Sequence, residues 1–142
     1  MILPDVNVLI YAFREDSEHH AESRRWLDGV INGENAYGMS PQVLSSLIRI
    51  VTHPTIFKRT SRLAQVTEFA NILLDQPHCQ IIQPGERHWG IFTKLCGSAK
   101  ATGNLVPDAW FAALAIESGC EWISTDGDYK RFAGLRVRSP FD

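Results

Sequence analysis

The stretch Leu105-Val-Pro-Asp108-Ala-Trp-Phe-Ala-Ala-Leu-Ala-Ile116-Glu-Ser-Gly119-Cys-Glu-Trp-Ile123-Ser-Thr-Asp126-Gly-Asp128-Tyr129 decides the fold. Pro107 and Asp108 suit a helix start, because proline fits a first turn and a carboxylate is favoured at the positive end of the helix dipole. Ala109 to Ile116 has no polar face, which predicts a helix buried on most sides. Gly119 fits the left-handed position that closes a helix. Cys120 to Ile123 reads as a short buried strand, and Asp126 and Asp128 lie just past its end. In open α/β sheets, sites form beyond the carboxyl ends of the strands.

The N-terminus has the same design in miniature. Met1 to Pro4 reads as a first strand, Asp5 closes it, and Val6 to Phe13 reads as a buried helix. Asp5, Asp126 and Asp128 then all follow strands, with Asp108 opening a helix beside them. Parallel strands from distant parts of the chain can bring these acids together.

Between these ends, helix and strand alternate. Arg14 to His20 is polar and loop-like. Ala21 to Ile31 predicts an amphipathic helix with Trp26, Leu27, Val30 and Ile31 inward, stopped at Asn32-Gly33. Ala36 to Met39 is a short strand. Ser40-Pro41 signals a helix start, with a hydroxyl cap and a first-turn proline. Val43, Leu44, Leu47, Ile48 and Val51 follow helical spacing until His53-Pro54. Ser61 to Leu74 predicts a helix carrying Leu63, Val66, Phe69, Ala70 and Leu73. Cys79 to Ile82 is a strand, and Glu86 to Cys96 a helix with Trp89, Phe92 and Leu95. Gly97 to Asn104 reads as a loop, and Leu135 to Val137 as a last edge strand. Such alternation predicts an α/β fold with a parallel sheet in one layered domain spanning residues 1–142. Trp110 and Phe111 are expected in the core, and the histidines on the surface or in loops.

Composition fits this reading. Hydrophobic residues make up 44% and charged residues 21%, as in ordinary globular proteins. The net charge of −2 does not announce a nucleic-acid binder, although Arg24-Arg25, Lys58-Arg59 with Arg62, Lys130-Arg131 and Arg136 with Arg138 group basic residues locally. Cys79, Cys96 and Cys120 fit neither a zinc site nor a disulfide framework, so a reducing cytoplasm is expected. No apolar run approaches membrane-spanning length, and no membrane partner or secretory signal is expected.

Carboxylates gathered within a few ångströms repel, and some stay protonated unless a cation neutralises them. A hard divalent ion such as Mg²⁺ takes oxygen ligands and is commonly held by one or two carboxylates with waters and a phosphate. Such an ion can activate water for phosphodiester hydrolysis. No histidine or cysteine has zinc spacing. Each acid taken alone also fits a helix cap or a turn, and the coincidence of three strand-to-helix junctions favours a site. Asn7 is either a plain first-turn residue or a group that orients Asp5. Ser124 and Thr125 either cap the next turn or place a hydroxyl in the site, with Thr125 preferred.

Asp5-Val-Asn7-Val-Leu-Ile, Leu-Val-Pro-Asp108-Ala-Trp-Phe-Ala-Ala-Leu-Ala, and Ser-Thr125-Asp126-Gly-Asp128-Tyr129 with Phe132 and Leu135 resemble a PIN-domain ribonuclease, and more narrowly the VapC toxins of bacterial toxin–antitoxin pairs. The resemblance runs over essentially the whole chain in order. It implies a three-layer PIN-like domain with a central, mostly parallel sheet flanked by helices. It also implies Mg²⁺- or Mn²⁺-dependent cleavage of RNA, homodimers, and inhibition by a VapB-type antitoxin. Carried onto this sequence, Asp5 and Asp108 match the principal metal-binding acids, Asp126 and Asp128 the C-terminal acidic motif, and Thr125 its hydroxyl. The candidate catalytic residues are therefore Asp5, Asn7, Asp108, Thr125, Asp126 and Asp128, with Asp5, Asp108 and Asp126 as metal ligands.

One position departs from the pattern. Where these proteins usually carry a further glutamate on the helix after the second strand, this chain has Ser46. Arg49 with Thr52-His53-Pro54 matches a subgroup of the same toxins. The missing acid keeps a second reading open, a catalytically weak PIN module that binds RNA or protein. A phosphatase or receiver-like domain ranks below both, because no phosphate-handling lysine motif is present.

Overall fold

The computed structural model describes residues 1–142. Its elements are β1 (Ile2–Pro4), α1 (Val6–Phe13), α2 (His20–Asn32), β2 (Tyr37–Met39), α3 (Pro41–Val51), α4 (Leu63–Leu74), β3 (Cys79–Ile81), α5 (His88–Ala99), α6 (Leu105–Ser118), β4 (Glu121–Ile123) and β5 (Val137–Arg138), with a 3₁₀ turn at Gly127–Arg131. Every strand pair is parallel: β1 with β4, β4 with β5, and β2 with β3. The three-stranded ladder runs β1-β4-β5, and β2 lies beside β1 with β3 outside it. Helices flank these strands, giving the expected α/β fold.

Several local predictions hold for the stated reasons. Asp5 caps α1, its carboxylate accepting from the Val6 N–H at 2.7 Å. Ser40 caps α3 through the Val43 N–H, with Pro41 at the first helical position. Gly119 closes α6 at φ 70°, where a side chain would be strained.

Other boundaries move. Helix α6 begins at Leu105, so Asp108 lies within its first turn rather than at its cap. Pro107 is tolerated there because the first turn's N–H groups have no intrahelical partner in any case. Helix α5 runs through Gly97 to Ala99, which were expected in the loop, and closes on Lys100 in the left-handed region at φ 52°. Helix α4 starts at Leu63 instead of Ser61, and Leu63 is 62% exposed. Trp89, expected inward, is 65% exposed, while the neighbouring His88 is buried and meets the Trp110 carbonyl at 2.9 Å. Phe111 packs on Trp122, but Trp110 is only half-buried and donates its indole N–H to Gln42 Oε1 at 2.8 Å. The last strand is Val137–Arg138, shifted because its register follows β4: the Ser124 N–H donates to the Arg138 carbonyl at 3.0 Å.

The core gathers Leu3, Leu9, Leu27, Met39, Leu47 and Trp122 from both halves of the chain. Ala109, Ala112, Ala113 and Ala115 are fully buried. Their small side chains let α6 sit close to its neighbours. Arg14, read as a loop residue, is buried with its guanidinium 3.8 Å over the Phe57 ring. It donates to Asp16, Ser61 Oγ and the Arg59 carbonyl, fastening the α3–α4 connection to the end of α1. Cys79, Cys96 and Cys120 are free thiols. No helix is long and apolar enough to cross a membrane.

At the β1–β2 seam, a Cβ on Gly38 would lie 2.8 Å from Ile82 Cγ1 and 3.3 Å from the Ile2 carbonyl oxygen. Close approach of the strands therefore requires glycine. Gly38→Ala is expected to destabilise the fold by about 1–3 kcal/mol through overpacking. Gly90→Ala, in α5 with nothing within 4 Å of the added Cβ, is expected to be neutral or stabilising by up to about 1 kcal/mol. Urea unfolding of the two variants checks the pair, and equal midpoints would contradict the account of the seam.

Candidate active site

Parallel pairing sets the site. The Asp5 N–H donates to the Ile123 carbonyl at 2.8 Å, so β1 and β4 end side by side and release Asp5 and Ser124 together. Asp5 is 5% exposed. Its Oδ1 accepts from the Val6 N–H, and its Oδ2 from Ser124 Oγ at 2.7 Å and Asn7 Nδ2 at 3.3 Å. Asn7 Nδ2 also reaches Ser124 Oγ at 3.2 Å, and Asn7 Oδ1 accepts from the Thr125 N–H at 3.4 Å. Asn7 thus bridges the ends of β1 and β4, the orienting arrangement of the two left open by the sequence. Ser124 Oγ in turn accepts from the Asp126 N–H at 3.0 Å.

Asp126 caps the 3₁₀ turn, its Oδ1 accepting from the Asp128 N–H at 2.9 Å. The turn carries Tyr129 inward, and the Tyr129 hydroxyl donates to Asp108 Oδ1 at 3.3 Å. Asp108, Asp126 and Asp128 each present a carboxylate oxygen, all within 4.8 Å of one another. The donor set is oxygen only, with no histidine or cysteine, which suits a hard cation such as Mg²⁺ or Mn²⁺.

The acids weaken one another as acids. Burial pushes Asp5 up to about 6, opposed by the Ser124 and Val6 hydrogen bonds and reinforced by the charges of Asp108 and Asp126. Asp108 is also raised, by burial first and then by Asp126. Burial, followed by the charges of Asp5 and Asp108, holds the Tyr129 phenol protonated, so it remains a donor. The chain's ion pairs are Arg14–Asp16, Arg24–Asp28 and Arg138–Glu121, and none reaches these acids.

The hydroxyl that meets Asp5 is that of Ser124. Thr125 is exposed and enters through its backbone N–H. Tyr129 is the site residue to which the sequence reading gave no role, and Ser124 was weighed for the site with Thr125 preferred. Ser124 is the first residue past β4, whereas Tyr129 carries no local signal that sets it apart from the chain's other aromatic residues. Ser46 is half-buried, one turn beyond Gln42 and on the same flank of α3 that meets Trp110 of α6.

The family model described as PIN domain matches residues 2–135. The chain belongs to the PIN-domain family. Within that family it is similar to VapC ribonuclease Mb2897 of Mycobacterium bovis, at 37% identity over 142 residues, covering 100% of this chain and 97% of the relative. Among solved structures, VapBC-1 from nontypeable Haemophilus influenzae matches this PIN domain with a TM-score of 0.72 at 17% identity over 100% of both chains. A toxin–antitoxin complex from Klebsiella pneumoniae matches with a TM-score of 0.65 at 19% identity, covering 100% of this chain and 99% of that one. At these identities the structural likeness concerns the PIN fold alone.

The raised Asp5 group has a consequence for stability. Its value is about 6 in the folded PIN domain against 3.8 for the free side chain, so the folded state holds the proton more tightly. Stability therefore falls as pH rises from about 4 to about 6 and stays reduced above, by roughly 3 kcal/mol for about two pKa units. Asp5→Asn is expected to flatten that fall, measured by urea unfolding in chelator across this range. An unchanged pH slope would contradict the burial account.

Proposed function

We propose that this chain is a single-domain, Mg²⁺-dependent endoribonuclease and the toxin of a type II toxin–antitoxin pair, with Mn²⁺ as an alternative ion. The observation that carries this is the convergence of Asp108, Asp126 and Asp128 within 4.8 Å beside buried Asp5, with no cation of the chain to neutralise them. Its similarity to proteins named VapC ribonucleases supports RNA as the substrate. A bound divalent ion supplies Lewis-acid activation of water and neutralises charge on the phosphodiester.

The residues divide the remaining work. Asp108 and Asp126, with Asp128 in the same cluster, would hold the ion, and Asp5 beside them would add a carboxylate whose orientation Val6, Ser124 and Asn7 fix. Asn7 and Ser124 fix the Asp5 rotamer, and the Tyr129 hydroxyl fixes Asp108. Asp128, exposed at the rim, orients water toward the phosphorus, and Thr125 offers its hydroxyl to the substrate's phosphate. Cleavage leaves 5′-phosphate and 3′-hydroxyl ends.

Ser46 favours the second reading, a PIN module that binds RNA but cuts weakly, because α3 brings no carboxylate to the cluster. Total RNA incubated with the protein, in Mg²⁺ and in chelator, separates the two: discrete metal-dependent cuts support the enzyme. Asp108→Asn keeps shape but removes one charge, and is expected to slow cleavage by at least about a hundredfold. Near-normal cutting by the folded variant would rule out this ligand set.

The partners follow from the similarity to VapC and VapBC proteins. A small VapB-type antitoxin restrains the enzyme in the cytoplasm, placing an Arg or Lys among the carboxylates, where a guanidinium pairs with two oxygens at once. The rest of its grip lies in the depression between α3 and α4, lined by Leu44, Ile48, Ala70 and Leu74. A homodimer completes the assembly. Expression of this chain alone is expected to arrest growth, its neighbouring gene product to restore it, and Asp5→Ala to abolish toxicity. Equal toxicity of wild type and Asp5→Ala would detach the toxin role from this site.

A further inference from the structure

A row of aromatic side chains leads away from the carboxylates. Asn7, which touches Asp5 and Ser124, is followed one turn along α1 by Tyr11 on the same helix face. The Tyr11 ring meets the His19 imidazole edge-on at 5.3 Å, and His19 lies 5.3 Å from Phe141 at 43°. Phe141 is 38% exposed. Its position is tied to the site from the other side as well. Arg138 accepts from the Ser124 N–H, and the turn that follows is held by Ser139 and Asp142. Three residues span at most about 11 Å, so Phe141 lies within reach of a nucleotide flanking the bond cut beside Ser124.

Beyond Phe141 the row opens into a cavity of about 310 Å³ lined by Glu22, Arg25, Trp26, Pro140 and Phe141. Two aromatic side chains line it. Arg25 has no carboxylate partner in the chain, in contrast to its neighbour Arg24, which pairs with Asp28. Glu22 is exposed at the same rim. Unpaired single-stranded RNA is recognised by stacking bases on aromatic rings, with cationic side chains on the backbone and polar ones on the base edges.

We infer that the cavity between Trp26 and Phe141 is a base-binding subsite for a single-stranded RNA nucleotide flanking the scissile bond, reached along Tyr11 and His19. The base stacks on Phe141 and Trp26, Arg25 contacts a phosphate, and Glu22 accepts from an amino group on the base edge. Uracil, which lacks an amino group and offers only its N3–H, is therefore the least favoured base at this position. The inference rests on the ribonuclease reading proposed above.

The test uses the whole chain and two readouts. Cut sites on total RNA are mapped for wild type, Phe141→Ala, Phe141→Tyr and Arg25→Gln. Binding of fluorescein-labelled oligo(A), oligo(C), oligo(G) and oligo(U) is followed by anisotropy in chelator. Wild type is expected to bind oligo(U) most weakly. Phe141→Ala should weaken the preferred oligonucleotide by about tenfold, raise KM more than it lowers kcat, and blur the preference at one flanking position. Phe141→Tyr, which keeps the ring, should restore all three. Trp26 also packs on the core, so Phe141 and Arg25 carry the test, with thermal melting as the fold control. If wild type cuts RNA and Phe141→Ala and Arg25→Gln keep its affinity, KM and cut-site preference, the subsite is overturned and the nuclease reading stands. If wild type neither cuts RNA nor binds any oligonucleotide, the nuclease reading falls and takes the subsite with it. If the variants lose only co-purification with the neighbouring gene product, the surface is a protein-docking face and the subsite is overturned.

Discussion

The burial of one carboxylate, that of Asp5, constrains the rest of this structure. A charged group taken out of water is costly unless hydrogen bonds replace its hydration. Here the replacements come from both ends of the chain: the Val6 N–H and Asn7 from α1, and Ser124 from the end of β4. The satisfaction is incomplete, since Asp5 still sits at about 6. Asp5 can be held this way only if β1 and β4 pair in the one register that sets Pro4 beside Ile123 and Ser124 beyond it.

That register in turn depends on how α6 packs. The helix connects to β4 through Gly119, and its alanines face the core where bulkier side chains would hold it away. From this position Asp108 reaches the acids of the β4 turn. Tyr129 closes the arrangement, its ring against Trp122 in the core and its hydroxyl on Asp108. The column of Phe111, Trp122, Tyr129 and Phe132 therefore supports the acidic cluster from beneath. Tyr129, to which the sequence reading gave no role, thus fixes one of the four carboxylates.

Much of this was legible in the sequence because the signals were local. Asp5, Ser40 and Gly119 announce helix ends by chemistry that acts within a few residues, and the run from Ala109 to Ile116 declares its burial without reference to anything else. The misreadings arose where distant contacts decide. Ser61 was read as a helix start, but it is engaged by Arg14 just past the end of α1, and the helix begins two residues later. Trp89 and His88 exchanged their expected places because the Trp110 carbonyl on α6 takes the imidazole. Periodicity cannot see a partner contributed by another helix. Local sequence could not rank the two adjacent hydroxyls for the same reason: that Ser124 rather than Thr125 points at Asp5 depends on strand register, and a one-residue step reverses it.

The acids also differ in how fully the chain satisfies them, and the difference sorts their capacities. Asp5 is nearly saturated by donors from its own fold and is the most deeply buried. Asp108 and Asp126 keep oxygens turned toward each other with only one hydrogen bond apiece from the fold, and Asp128 stands at the rim. Such a gradient, from a fixed interior carboxylate to a free exterior one, leaves net negative charge concentrated where solvent can enter. The cations of the chain are occupied elsewhere or lie apart from it. Arg14 is spent on the α3–α4 connection, Arg24 on Asp28, and Arg138 on Glu121. The protein thus folds around a charge that it does not itself neutralise. Any group that supplied positive charge there, whether an ion with its hydration shell or an inserted guanidinium, would gain from the same repulsion, and two such groups would compete for one place.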